Sequence, residues 1–203
     1  MKIHSVSRRD QEKALRSEFV LDAAETVFVA RGFAGAGVEE IAARGEVSLA
    51  TLYKTFPSKE ALFAEVVGRR MMAFVEIARE ATSQGSGLER LEALVQAAFR
   101  YFEKHDGAFR LYLSATGGFP WEFRANLREG SVERYRDFLG DLEKLVRAAA
   151  PDCGRKEARG VALALTGALN AMLGDWVGES HRRPASVVSK DAWLVLRRLV
   201  EVR

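Results

Sequence analysis

The chain has 203 residues, of which 48% are hydrophobic and 29% charged. That is enough to bury a core without disulfides or metals, and it suits one domain or one plus a small extra. The single cysteine, Cys153, excludes an internal disulfide framework, and only four prolines occur, which excludes a Pro-rich disordered chain. A reducing, cytoplasmic setting is expected. The net charge of +3 and pI of about 9.1 are mildly basic and compatible with a polyanionic partner. The excess does not lie at the N-terminal end. Residues 1–60 carry nine Lys/Arg and nine Asp/Glu, whereas residues 61–203 carry 22 and 19. If the first segment binds nucleic acid, local placement must do it. Residues 1–18 hold no apolar run of the signal-peptide kind. The uncharged stretch 160–174 is shorter than the roughly 20 residues a spanning helix needs. No membrane partner is expected.

Helical periodicity runs through nearly the whole chain. Leu15, Phe19, Val20, Ala23, Ala24, Val27 and Phe28 recur at three- and four-residue steps, which predicts an amphipathic helix stopped near Arg31-Gly32. Beyond the Gly35-Ala36-Gly37 loop, a short helix is predicted over 38–44. A turn follows at Gly45-Glu46-Val47, then a second short helix over 49–56 with Ser48 as its cap. Pro57 stops that helix and Ser58 caps the next, over 59–81. Residues 83–87 read as a flexible connector, and 88–105 as an amphipathic helix. A broken helical stretch over 108–115 meets an interruption at Gly117-Gly118-Phe119-Pro120. Long helices are predicted over 121–149 and 155–177, and a last one over 185–202. Strand alternation and repeats are lacking. The class is all-α, with about nine helices.

Residues 38–56 have the form of a helix–turn–helix. Ile41 and Ala42 face inward from the first short helix, Val47 sits in the turn, and Leu52 and Phe56 continue the core on the second. Such a unit lays its second helix in the DNA major groove. The longer string from Leu21-Asp22-Ala23-Ala24, through Phe28, Gly32-Phe33 and Val38-Glu39-Glu40-Ile41-Ala42, to Thr51-Leu52-Tyr53 and Phe56-Pro57-Ser58-Lys59-Glu60-Ala61-Leu62-Phe63 resembles the TetR (tetracycline repressor-like) family of bacterial transcriptional regulators. The resemblance covers about residues 15–63. It implies a three-helix DNA-binding domain over 1–60, with a basic N-terminal arm, and a helical ligand-binding and dimerisation domain over 61–203. It also implies DNA contact by Ser48, Leu49, Ala50, Tyr53, Lys54 and Thr55, and phosphate contact by Thr51 and Lys59. The chemistry of the stretch agrees, because residues 47–59 contain no acid. Lys54 and Thr55 can donate to base edges, and Leu49 and Ala50 can touch a thymine methyl.

Two positions depart from the family pattern. Gly37 stands where a Thr or Ser usually opens the first short helix, so one hydroxyl contact to phosphate is missing. Gly45-Glu46 stands where the family usually has Ala-Gly. Either Glu46 takes a left-handed conformation at a cost of about 1 kcal/mol, or Gly45 does and the turn shifts register. The arm, residues 2–16, carries Lys2, Arg8, Arg9, Lys13 and Arg16 against Asp10 and Glu12. It reads equally as a solvated tail or as a phosphate or minor-groove contact.

In the second half, the 155–177 helix is apolar all round and must be covered on more than one side. Small residues Ala164, Gly167, Ala168, Ala171 and Gly174 allow a neighbour to approach closely, and the final helix adds Trp193, Leu196, Leu199 and Val200. A two-fold homodimer through these helices is expected. Eight aromatic residues fall within 99–123. Phe99, Phe102, Phe109, Tyr112, Phe119, Trp121 and Phe123, with Met71, Phe74 and Val75, are the candidate wall of a pocket for a small apolar or aromatic effector. Thr166 and Asn170 are the candidate polar groups that orient it.

No catalytic constellation is recognised. His4, His105 and His181 lack metal-ligand spacing, no Gly-x-Ser-x-Gly or phosphate loop occurs, and no cofactor or metal is expected. The reading is an effector-responsive regulator, most simply a repressor, that binds a palindromic double-stranded DNA operator as a dimer. The alternative is an all-α small-molecule binding protein that has lost operator binding.

Overall fold

The computed structural model describes residues 7–116, 129–179 and 182–201. Among these residues every regular element is a helix. The order is α1 (Arg8–Gly35), α2 (Val38–Arg44), α3 (Leu49–Thr55), α4 (Lys59–Ala81), α5 (Gly87–Lys104), α6 (Asp106–Thr116), α7 (Glu129–Ala149), α8 (Arg155–Gly178), α9 (Ala185–Leu196) and the single turn α10 (Arg198–Glu201). The chain forms two compact units, Met1–Val67 and Gly68–Arg203, so the division falls inside α4. The expected boundary at 60/61 marks the start of that helix, and the first unit runs on to Val67. The expected interruption at 117–120, the start of the helix at Trp121, and residues 1–6 of the arm lie outside the described residues.

The first unit is built on the inward stripe of α1. Val20, Ala24, Val27 and Phe28 are buried, as are Ile41 and Ala42 of α2, which packs on α1, and Leu52 of α3, which packs on α2. Phe56 closes α3 at 1% exposure. Gly32, at φ 68° and ψ 174°, breaks α1 where the sequence places a stop. The chain can then bring Phe33 onto Phe63 of α4, with ring centroids 5.0 Å apart, while Phe28 meets the same ring edge-on at 5.0 Å. Leu15 and Phe19 do not join this core. Although in phase with the stripe, they are 62% and 67% exposed. The α1 helix starts at Arg8, so its first turns run beyond the core those two residues were expected to join.

The α2–α3 turn resolves the Gly45-Glu46 ambiguity. Glu46 takes the left-handed conformation at φ 53°, and Gly45 stays at φ −83°. The reason is space. A Cβ on Gly45 would lie 3.2 Å from the Ile41 carbonyl oxygen and 3.3 Å from the Cα of Val20. Glycine is therefore consumed by the close approach to α1, and the next residue carries a strain of about 1 kcal/mol. Gly37 caps α2 without a side-chain hydrogen bond.

The second unit is organised around α5, which packs against α7, α8 and α9. The expected flexible connector before it is tightly specified at its end. The Ser86 N–H donates to the Glu89 carboxylate at 2.8 Å. Hydrogen bonds from Ser86 hold the Glu89 carboxyl below the ordinary carboxylate range. A Cβ on Gly87 would lie 2.3 Å from the backbone nitrogen of Ala149, so α5 and α7 meet through backbone. The α4 helix is tied to this unit by Tyr101, whose hydroxyl donates to the Arg70 carbonyl at 2.8 Å, and by Phe74, whose ring lies 5.3 Å from Phe102.

The α8 helix is long and apolar enough, by length and composition, to cross a bilayer, although only 28% of its most apolar window is buried. Its inward residues Leu165, Leu173 and Trp176 belong to the core of the unit. Its outward residues Leu163, Ala164, Gly167 and Ala171 are uncovered. The α9 helix repeats the split, with Ala185, Ala192, Trp193 and Leu196 inward and Val187, Leu194 and Val195 outward.

Candidate nucleic-acid interface and ligand cavity

Short helices are poor at satisfying their own ends, so α3 depends on its cap. The Ser48 hydroxyl accepts from the Thr51 N–H at 3.1 Å and pairs with the Thr51 hydroxyl at 2.9 Å. The Thr55 hydroxyl donates back to the Thr51 carbonyl at 3.3 Å. With Leu52 and Phe56 anchored inside, the opposite face must point out. Ser48, Leu49, Ala50, Tyr53 and Lys54 are exposed, and Thr51 and Thr55 are half-buried. Leu49 and Tyr53 are 38% and 45% exposed. Seven of the eight sequence-predicted contact residues thus share the outward side or the flank of one acid-free helix and its cap.

Lys59 is the exception. Its ammonium lies 4.8 Å from the centroid of Phe33 and donates to the Ala34 carbonyl at 3.4 Å. It ties α4 to the end of α1, so any phosphate contact competes with that internal role. The arm reading is also refined, since Lys13 and Arg16 are helical. They line, with Glu12 and Ser17, a groove whose other side is Thr51, Lys54 and Thr55. The local charge excess of the arm was the legible signal for this. Its helical register against α3 was not.

The second unit holds an apolar cavity of about 60 Å³. Met71, Phe74 and Val75 of α4, Phe102 of α5, Tyr112 of α6, and Thr166 and Asn170 of α8 line it, as expected. Two expected residues do not. Phe99 is turned to the ring of Trp176, 5.2 Å away. Phe109 stands outside the lining, its ring 4.7 Å from Phe102 and 5.9 Å from Tyr112. Phe119, Trp121 and Phe123 lie outside the described residues. Missed were Met72, the α5 stripe of Leu91 and Leu94, Phe138 of α7, and Leu169. The periodicity of α5 carried that signal.

Four residues expected at a subunit interface face inward instead. Trp193 and Leu196 line the cavity, and Val200 is 6% exposed. A Cβ on Gly174 would lie 3.2 Å from Leu113 of α6, so that glycine serves contact within the chain. Ala164, Gly167, Ala171 and Leu199 are exposed and Ala168 is half-buried. The residues overlooked on this surface are Leu163, Val187, Leu194 and Val195, at 50%, 41%, 58% and 55% exposure.

A capped, outward-facing second helix in one unit and an apolar cavity in the other define, among the described residues, an all-helical helix–turn–helix protein. Residues 20–66 match the profile described as bacterial regulatory proteins, tetR family. The HTH-type transcriptional activator FasR of Mycolicibacterium smegmatis is 39% identical over 93 residues, covering 45% of this chain and 42% of FasR, so the likeness spans less than half the length of that relative. A TetR-like transcriptional regulator from Rhodococcus sp. RHA1 superposes with a TM-score of 0.69 at 26% identity, over 98% of this chain and 100% of its own. The transcriptional regulator FadR from Bacillus subtilis, solved in complex with stearoyl-CoA, shares the fold at a TM-score of 0.70 and 18% identity, over 90% of this chain and 97% of its own. Residues 20–66 thus carry the DNA-binding part of the tetR family of bacterial regulatory proteins, and the rest of the described chain shares the fold of a TetR-like regulator.

Proposed function

We propose that this protein is a dimeric transcriptional regulator that binds an inverted-repeat operator through α3 and is controlled by an apolar, chain-like small molecule held in the second unit. The observation that carries the DNA part is the outward face of α3, where Leu49, Ala50, Tyr53 and Lys54 are exposed over a segment without acids. Lys54 is the best-placed base-reading donor, and Tyr53, Thr51 and Thr55 serve sugar-phosphate contact. Lys13 and Arg16 extend the cationic surface across the adjoining groove. Residues 1–67 act as the DNA-binding domain, and the rest as the ligand and dimer domain.

The dimer reading rests on the uncovered apolar face of α8 and α9. Leu163, Ala164, Gly167, Ala171, Leu194 and Val195 form the surface that a second copy covers, and a two-fold arrangement of the helix pair makes it self-complementary. Two copies then present two α3 helices, which must stand about 34–36 Å apart to enter successive major grooves.

The cavity supports the effector part. It is narrower than the roughly 300–1,000 Å³ of a typical ligand site. An occupant must therefore displace lining side chains, and the unbranched Met71 and Met72 are suited to give way. Both stand on α4, the helix that begins in the DNA-binding unit. Widening the cavity moves α4, and a ligand that prefers the widened form shifts the population away from the DNA-binding spacing by its differential affinity. The stearoyl-CoA of the Bacillus subtilis regulator supports a chain-like ligand.

A gel-shift titration of the DNA upstream of the coding region tests this. Retardation that is specific, falls steeply with salt and is relieved by an acyl chain compound is expected. Equal retardation of unrelated DNA contradicts it. Repression is the simplest output, because a dimer seated on a promoter blocks it. Activation is favoured by one observation, the activator FasR among the relatives. A promoter–reporter fusion with and without the protein decides the sign.

A further inference from the structure

The cavity is not uniformly apolar. On α8 the lining stripe reads Leu165, Thr166, Leu169, Asn170 and Leu173, with two polar residues one turn apart. Thr166 is spent locally, since its hydroxyl donates to the Ala162 carbonyl at 2.9 Å. Asn170 is not. Its amide nitrogen donates to the Tyr112 hydroxyl oxygen at 3.3 Å, and no other partner is recorded for it among the described residues. A carboxamide offers two donors and a two-lone-pair acceptor, so one N–H and the carbonyl oxygen remain for whatever enters. The meeting of Asn170 with Tyr112 is built in. One turn further along α8, Gly174 lets Leu113 of α6 come close, which brings Tyr112 beside Asn170. Among the described residues, the lining other than Asn170, Tyr112 and Thr166 consists of hydrocarbon, thioether and indole groups.

We propose that Asn170, positioned by Tyr112, reads a single oxygen atom, a carbonyl or hydroxyl, on an otherwise aliphatic effector. The inference deepens the ligand-responsive reading and rests on it. It assigns the effector to oxygenated chains rather than plain hydrocarbons, because an aliphatic chain alone leaves the free side of the carboxamide unpaired against apolar walls. A site built around a hydrogen bond rejects the analogue lacking it far more strongly than an apolar pocket rejects a change of one methylene.

The test measures binding to the full-length protein without DNA, by quenching of tryptophan fluorescence, since Trp193 lines the cavity. The probes are octan-2-one, octan-2-ol and n-octane. The wild type is expected to bind both oxygenated probes at least tenfold more tightly than n-octane, against the order that hydrophobicity alone gives. In Asn170→Leu that preference collapses to within threefold or reverses, while n-octane binds as well as or better than before. Tyr112→Phe, which keeps the ring and removes the anchor, reduces the preference several-fold and serves if the first variant does not fold. A wild-type preference below threefold, a preference retained in both folded variants, or no binding of any probe overturns the proposal. Gel shifts on the same preparations keep the two readings apart. Intact operator binding with no oxygen preference removes the Asn170 assignment alone.

Discussion

The outward face of α3 and the outward face of α9 are both short helical surfaces with exposed apolar side chains, yet only the first was legible residue by residue. On α3 the inward positions are pinned by Leu52 and Phe56 within a motif whose turn and caps have fixed spacing, so seven of the candidate contact residues lie on its outward side, flank or cap. On α9 apolar residues occupy both sides. Trp193 and Leu196 were the natural choice for an interface because they are large, and they are core. Leu194 and Val195, one step round the helix, are the exposed pair. Periodicity reveals a face only when the opposite face is polar. Where a helix is apolar all round, as α8 is, the sequence says that both sides are covered but not by which neighbour.

The largest effects separate the two sides of α9. Trp193→Ala is expected to cost the folded subunit about 3–5 kcal/mol, as loss of a buried aromatic does, and urea denaturation measures it. Leu194→Glu is expected to leave the secondary structure intact and convert a dimer into a monomer of 22.5 kDa in sedimentation. If Leu194→Glu unfolds the protein and Trp193→Ala does not, the assignment of faces is reversed.

Next comes Gly87→Ala, which drives a methyl group into the α7 backbone. Overpacking there should cost about 1–3 kcal/mol, with the loss confined to the second unit. A neutral result would mean that α5 and α7 do not meet as closely as 2.3 Å implies. This contact could not be read from Ser83-Gln84-Gly85-Ser86-Gly87, whose composition is that of a linker. Only the partner backbone shows why glycine stands at its end.

Of similar size, but on binding rather than stability, is the effect of the exposed α3 residues. Lys54→Ala and Tyr53→Ala are each expected to weaken specific DNA binding by about 1–3 kcal/mol. Stability should change by no more than about 0.5 kcal/mol, because both side chains are exposed. Fluorescence anisotropy and thermal melting on the same samples give both numbers. A large loss of stability with little loss of binding would make α3 a packing helix.

The smallest expected effect lies in the turn. Glu46→Gly relieves the left-handed strain and should stabilise the first unit by up to about 1 kcal/mol, offset in part by the chain entropy of glycine. The sequence narrowed this turn to two arrangements. Choosing between them needed the distance from Gly45 to Val20 of α1, a long-range contact with no local signature.

Whether two copies of α3 read one duplex is decided by selecting bound sequences from a random double-stranded DNA pool with the full-length protein. Enrichment of an inverted repeat is expected, with half-sites that change when Lys54 is replaced. Recovery of unenriched sequence, or of a motif indifferent to substitution at Tyr53 and Lys54, would overturn the proposed reading of α3.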